Sequence, residues 1–270
     1  MLLTVDIGNT NVVLGLFGGG EEPLAVLRAP TIRDATPGQL GVLVDGLCEK
    51  MPDGEASVSR TILCSVVPDL SRAFCEYVRT ALAQEPVVVS AETDLGIPVR
   101  VDDPREVGAD RIVNALAARE AVGSPAIVVD LGTATTFDCL DNKGAYIGGV
   151  IAPGVETSAE DLIRRAARLC RVDLRFPSRV IGTNTRDCVQ SGILHGAAKM
   201  IDGMVEAIRA EMREPAATVL ATGGLAPVLA PRCGTLTRVD SNLTLRGLLL
   251  IDRRLGVSSG RPSADTTRGT

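Results

Sequence analysis

Two stretches decide how this chain folds: Val5-Asp6-Ile7-Gly8-Asn9-Thr10 near its start, and Val129-Asp130-Leu131-Gly132-Thr133-Ala134 farther along. Each closes a short apolar run, residues 2–6 and 126–130, with an acid, one further residue and a glycine. Short Val/Leu/Ile runs bounded by turn residues read as buried strands. Laid on one another, the two stretches put Asp6 on Asp130 and Gly8 on Gly132. The succession that follows each is also alike. Residues 12–17 predict a second strand, 18–22 a turn and 24–28 a third strand; residues 134–140, 141–144 and 145–151 repeat this order.

Helices are expected over residues 37–51, 68–84, 108–121, 154–169 and 185–213, and strands over 61–67, 86–90 and 217–222. Thr36-Pro37 opens the first helix as an N-cap followed by proline at the first helical position. The longest helix carries Ile193, Ala197, Met200, Ile201, Met204 and Ile208 along one face. After Gly223-Gly224 come a short helix and a final one near 243–252. The chain thus reads as two α/β halves, 1–120 and 121–256, facing each other across a cleft, with residues 257–270 too polar to pack.

A length of 270 residues accommodates two such halves. Hydrophobic residues make up 45% but aromatics only 2%, so the core is built from Val, Leu, Ile and Ala. So few stacking rings, with a net charge of −5, argue against a nucleic-acid groove. The 7 cysteines form no C-x-x-C pair, which points to reduced thiols in the cytoplasm rather than disulfides or a thiolate zinc site. Asp6 interrupts any signal-peptide run, and no apolar run reaches the roughly 18 residues of a membrane span. No lysine lies in a G-x-x-x-x-G-K pattern and no G-x-G-x-x-G occurs, which removes the P-loop and the usual dinucleotide fingerprint. Residues 256–260 match the spacing of a nucleophile elbow, but the only histidine, His195, precedes them, against the hydrolase order. His195 reads as a structural helix residue.

The acid-x-glycine turns carry the chemistry. Glycine there lets backbone approach a ligand, Asn9, Thr10 and Thr133 offer short polar groups, and a carboxylate can hold a phosphate-bound metal. One such turn is commonly just a β-turn; a matched pair argues for phosphate binding. Ala221-Thr222-Gly223-Gly224 ends a third buried strand and suits the adenosine side of a nucleotide. Glu106-Val107-Gly108-Ala109-Asp110-Arg111 opens a helix, with Asp110 placed as a general base toward an alcohol and Arg111 as the grip on an anionic group.

Taken together, these segments resemble the type III pantothenate kinases of the actin/Hsp70/sugar-kinase superfamily. The resemblance rests on residues 6–11, Ser65-Val66-Val67-Pro68, residues 103–111, residues 130–136, residues 148–154 and residues 182–185, which stand in the family's order and spacing. It implies duplicated ribonuclease H-like (actin-like) α/β domains with an interdomain cleft, and ATP-dependent phosphorylation of pantothenate at its primary hydroxyl, the first step toward coenzyme A. By the same resemblance Asp6, Ile7, Gly8, Asn9, Thr10, Asn11, Val12 and Val13 would hold the ATP phosphates, with Asp6 near Mg²⁺ and Thr133 also on ATP. Gly108, Ala109, Asp110, Arg111 and Thr185 would contact pantothenate, with Asp110 the proton acceptor. Asp130 would ligate a monovalent cation, K⁺ or NH₄⁺, and the protein would be a cytoplasmic homodimer whose substrate site is completed across the interface. The chain departs from the family at Val101, where a substrate-contacting Tyr is common, and at Thr183, where Lys is common. Two rival readings are a non-catalytic, nucleotide-binding regulatory protein and a phosphohydrolase of the same fold.

Overall fold

The computed structural model describes residues 1–51, 57–90, 93–166, 169 and 171–259. Its elements are β1 (Leu2–Ile7), β2 (Asn11–Phe17), β3 (Ala25–Pro30), α1 (Pro37–Cys48), β4 (Arg60–Ser65), α2 (Pro68–Ala81), β5 (Val87–Val88), α3 (Ala109–Val122), β6 (Ala126–Leu131), β7 (Ala134–Leu140), β8 (Tyr146–Pro153), α4 (Val155–Arg165), α5 (Thr185–Met212), β9 (Thr218–Thr222), α6 (Ala226–Leu229), β10 (Arg238–Val239) and α7 (Leu243–Ser259).

The strands form two five-stranded sheets of one topology. Their orders are β3-β2-β1-β4-β5 and, reversed, β8-β7-β6-β9-β10. In both, a three-stranded antiparallel meander is extended by parallel strands. Asp6 stands opposite Val13 and Cys64, and Asp130 opposite Thr136 and Thr222, so the acids hold the same lattice point in each sheet. The duplication read from Asp6 and Asp130 is therefore a duplication of fold.

Helix starts follow their sequence signals. Thr36 caps α1 in a capping box with Gln39, and Pro37 follows it. Asn184 caps α5 through the Asp187 amide. β4 stops at Ser65, not at residue 67, because Pro68 already occupies the first turn of α2. α7 passes well beyond residue 252 and carries residues 257–259 of the expected polar tail; residues 260–270 lie outside the described residues. Asp252, at the end of the expected span, and Arg254, beyond it, pair with Arg60 and Asp94.

Three apolar clusters divide the core. One lies under α1 and α2 on the outer face of the first sheet, and one under α5 and α6 on the outer face of the second. The third fills the middle, where α3 and α7 pack on each other between the sheets. α7, the last element, packs on β1, β2 and β4, whereas α3 packs on β6, β7 and β4. The expected division at 120/121 falls in the last turn of α3. Among the described residues no helix is long and apolar enough to cross a membrane. Those cysteines resolved as free thiols are Cys48, Cys64, Cys75, Cys139, Cys188 and Cys233. His195 packs edge-on against Phe176, ring centroids 5.0 Å apart.

Candidate active site

Both acid-x-glycine turns open into one cleft of about 300 Å³ between the sheets. Its lining includes Asp6, Gly8, Asn9, Thr10, Asn11 and Val13 from the first turn, and Asp130, Gly132, Thr133 and Thr136 from the second. Asp110 and Arg111, in the first turn of α3, close one side; Thr222, Gly223, Gly224, Asn242 and Thr244 close another. The turns meet at the cleft, where the Thr10 and Thr133 hydroxyls share a hydrogen bond of 2.7 Å. They differ by one residue. Residues 8–10 link β1 to β2 and residues 132–133 link β6 to β7, so the ungapped match of Thr10 on Ala134 fails after the glycine. Gly8 closes its turn on the Asn11 carbonyl at 2.9 Å, and Gly132 closes its own on the Ala134 carbonyl at 3.1 Å.

Several expected site residues line this cleft and several do not. Ile7 and Val12 are buried in the core under α1 and α2, their side chains turned from the ligand space. Gly108 caps α3, and Asp110 folds back over it, so that a Cβ at Gly108 would fall 2.5 Å from the Asp110 Oδ1. Thr185, at the first position of α5, lies in a separate groove of about 900 Å³ lined by α4, α5 and residues 182–184. Thr183 shares that groove, and Val101 packs against the central core.

Burial and crowding of negative charge set the carboxylates. Burial, then the nearby Asp110 charge, pushes Asp6 up to about 7, against a Cys64 thiol donating at 3.5 Å and the Arg28 charge. Burial, then Asp6, Asp110 and Asp138, pushes Asp130 up to about 7, while the Asn114 amide donates to its Oδ2 at 3.1 Å. Asp110 is also raised by burial, opposed by the Arg111 backbone amide, which donates to its Oδ1 at 2.9 Å, and by the Arg111 charge. A raised carboxylate is a stronger base, which is what proton removal from an alcohol requires.

The donor set suits hard cations. Among the described residues no three His, Cys, Asp or Glu side chains converge into a metal cage. Magnesium typically takes one or two protein carboxylates and completes its shell from phosphate and water, so Asp6 alone fits it. Gly223, at φ +89°, bends the chain after β9 so tightly that a Cβ would lie 2.5 Å from the Asp130 Oδ1. Only glycine fits that turn beside the carboxylate.

The sequence profile of the type III pantothenate kinase family matches residues 2–207. The chain belongs to this family. A type III pantothenate kinase of Thermomicrobium roseum is 46% identical over 260 residues, covering 96% of this chain and 100% of its own length. One from Moorella thermoacetica is 43% identical over 254 residues, covering 94% of this chain and 99% of its own. Among solved structures, the activator of the 2-hydroxyisocaproyl-CoA dehydratase from Clostridium difficile, with bound ADPNP, matches at a TM-score of 0.53 and 11% identity, covering 97% of this chain and 98% of its own. That likeness is one of fold.

Other polar residues of this kinase, with weaker marks in the sequence, lie in or beside the cleft. Arg28 of β3 lines the cleft and has no ion-pair partner among the described residues. Asn114 is buried and joins Asp130 to the Thr244 hydroxyl, which donates to the Asn114 Oδ1 at 2.8 Å. Its signal was present: Asn114 is four residues beyond Asp110 and shares its helix face. Arg111 donates from Nε to the fully buried Asp138 at 2.7 Å. Burial pushes Asp138 up to about 6 despite Arg111 and the Tyr146 hydroxyl.

Proposed function

We propose that Asp110 is the general base in the ATP-dependent phosphorylation of pantothenate that this kinase catalyses toward coenzyme A. The observation that carries this reading is the convergence of Asp110 with Asp6, Asp130 and both polar turns on one cleft. The primary hydroxyl loses its proton to the Asp110 carboxylate as the phosphoryl group is transferred. Arg111 holds the substrate carboxylate. Backbone N–H groups and hydroxyls at residues 8–11 and 132–133 receive the ATP phosphates, and Gly223-Gly224 lies against the nucleoside. A divalent cation carried with ATP would be held from the protein by Asp6 and would neutralise charge on the transferring group.

We further assign Asp130 to a monovalent cation, K⁺ or NH₄⁺. The crowding of Asp6, Asp110 and Asp130 supports a second positive charge here, since no P-loop lysine supplies one. The active unit is a homodimer in the cytoplasm, in which Thr185 of one copy completes the pantothenate site of the other. Two features support this: Thr185 does not reach the Asp110 cleft within its own chain, and the exposed Leu162 lines its groove. Residues 1–120 and 121–256 are the two halves. The test is ADP release by the purified protein with ATP, Mg²⁺ and K⁺, with and without pantothenate. Release that requires pantothenate is expected; release without it would favour the phosphohydrolase, and none at all the regulatory protein.

A further inference from the structure

Strand register exposes an inversion between the two halves. In the first, Gly15 of β2 stands between Thr4 and Val26. In the second, the matching residue of β7 is Asp138, between Val128 and Gly149. A Gly–Val pair in one copy is an Asp–Gly pair in the other. The helices over these pairs change with them. Leu245, the third residue of α7, lies over Gly15, where a Cβ would come 2.8 Å from the Leu245 Cδ1. Arg111, the third residue of α3, lies over Gly149, where a Cβ would come 2.8 Å from its Nη2 and 1.8 Å from the Phe137 carbonyl oxygen. The same place in the fold holds an apolar contact in one half and an ion pair in the other.

A buried carboxylate is costly unless its lone pairs are used. Those of Asp138 are. Its Oδ1 accepts from the Arg111 Nε at 2.7 Å and from the Tyr146 hydroxyl at 3.0 Å, and the Arg111 Nη2 also lies 2.7 Å away. Its Oδ2 accepts from the Thr136 hydroxyl at 3.3 Å. The guanidinium sits 6.0 Å from the centroid of the Tyr146 ring. This engages the inner edge of the guanidinium, while Nη1 has no hydrogen-bond partner among the described residues and Arg111 lines the cleft.

We infer that Asp138 is a positioning residue: it holds Arg111, in the space Gly149 leaves, so that the unengaged Nη1 is presented to the carboxylate of pantothenate. This rests on the reading of Arg111 given above. An arginine fixed in this way has little side-chain freedom left to lose when substrate binds, so removing its anchor weakens substrate capture more than catalysis. It also makes the site a neutral pair rather than a bare cation, matched in shape to one planar carboxylate.

Steady-state kinetics of the full chain test this, with pantothenate and ATP varied separately. Asp138→Asn is expected to raise the pantothenate KM about tenfold or more, with the ATP KM held within about twofold. Arg111→Gln is expected to raise the pantothenate KM likewise, and the double variant no further than either single one, since the two act as a unit. A rise of both KM values together, or additive effects in the double variant, would overturn the inference and leave Asp138 a structural residue. If Arg111→Gln raises the pantothenate KM and Asp138→Asn does not, only the positioning role falls. If Arg111→Gln leaves the pantothenate KM unchanged, the reading of Arg111 falls, and this role with it. Should Asp138→Asn not fold, Tyr146→Phe decides: it removes one donor to the same oxygen, and a two- to threefold rise confined to the pantothenate KM supports the role, while no rise overturns it.

Discussion

The two halves share one five-stranded topology yet treat the same positions differently. Where α7 begins, Thr244 and Leu245 meet the first sheet; where α3 begins, Asp110 and Arg111 meet the second. One helix start is neutral and the other carries a carboxylate and a cation. The turns differ in the same spirit, the first having one more residue than the second, so that Thr10 and Thr133 meet across the cleft instead of occupying matched places. A duplicated fold supplies two equivalent frames, and the charged groups at the cleft fall mainly where those frames differ. The first half contributes the longer turn, the second the buried carboxylate that pairs with Arg111.

The sharpest way to break this comparison is at the helix starts. Asp110→Asn is expected to lower kcat by roughly 10²–10⁴-fold with nucleotide binding retained, as removal of a general base does. Thr244→Val, at the matched position of α7, should lower it far less. Similar losses from both, measured by ADP release and nucleotide titration, would make the two starts equal partners and remove Asp110 from its role.

The paired acids come next. Asp130→Ala should abolish stimulation by K⁺ while Asp6→Ala should chiefly weaken the Mg²⁺ dependence, each read from activity against the concentration of one cation. An unchanged K⁺ response in Asp130→Ala would place that ion elsewhere.

The smallest effect is on stability. Asp6 and Asp130 are both held near 7, above the ordinary carboxylate value, so the folded state binds more protons than the unfolded one across the interval up to about 7. Their contribution is fully present below about 4 and is lost as pH rises through about 7. Tm of the protein without nucleotide should therefore fall by several degrees between pH 5 and pH 8, and Asp130→Asn should flatten that fall. A Tm that rises over this range would contradict the crowding of charge in the cleft.

Much of this architecture was legible in the residues because strands that end at a ligand carry a compact local signal. Asp6-x-Gly8 and Asp130-x-Gly132 announce both the repeat and the cleft, and Thr36-Pro37 announces α1. Contacts between distant parts left no such mark. Arg111 and Asp138 belong to different elements and meet only once α3 lies on the second sheet, and Arg28 reaches the cleft from the edge strand β3. The two-residue β10 is too short to show a period of two. The full length of α7 leaves little mark in the sequence because Arg253 and Arg254 look like solvent-facing residues, and their partners, Glu21 and Asp94, lie in the first half.

The placement of α7 bears on how the chain is made. Leu243, Leu245, Leu248, Leu249 and Ile251 share one apolar cluster with Leu2, Val13, Phe17 and Ile62, so the inner face of the first sheet is completed by the last described element. During synthesis β1 and β2 emerge long before α7 and must wait, with that face uncovered, until α7 leaves the ribosome. Emergence order and assembly order are thus opposed, and a product lacking α7 would display a sticky sheet rather than a shorter working enzyme.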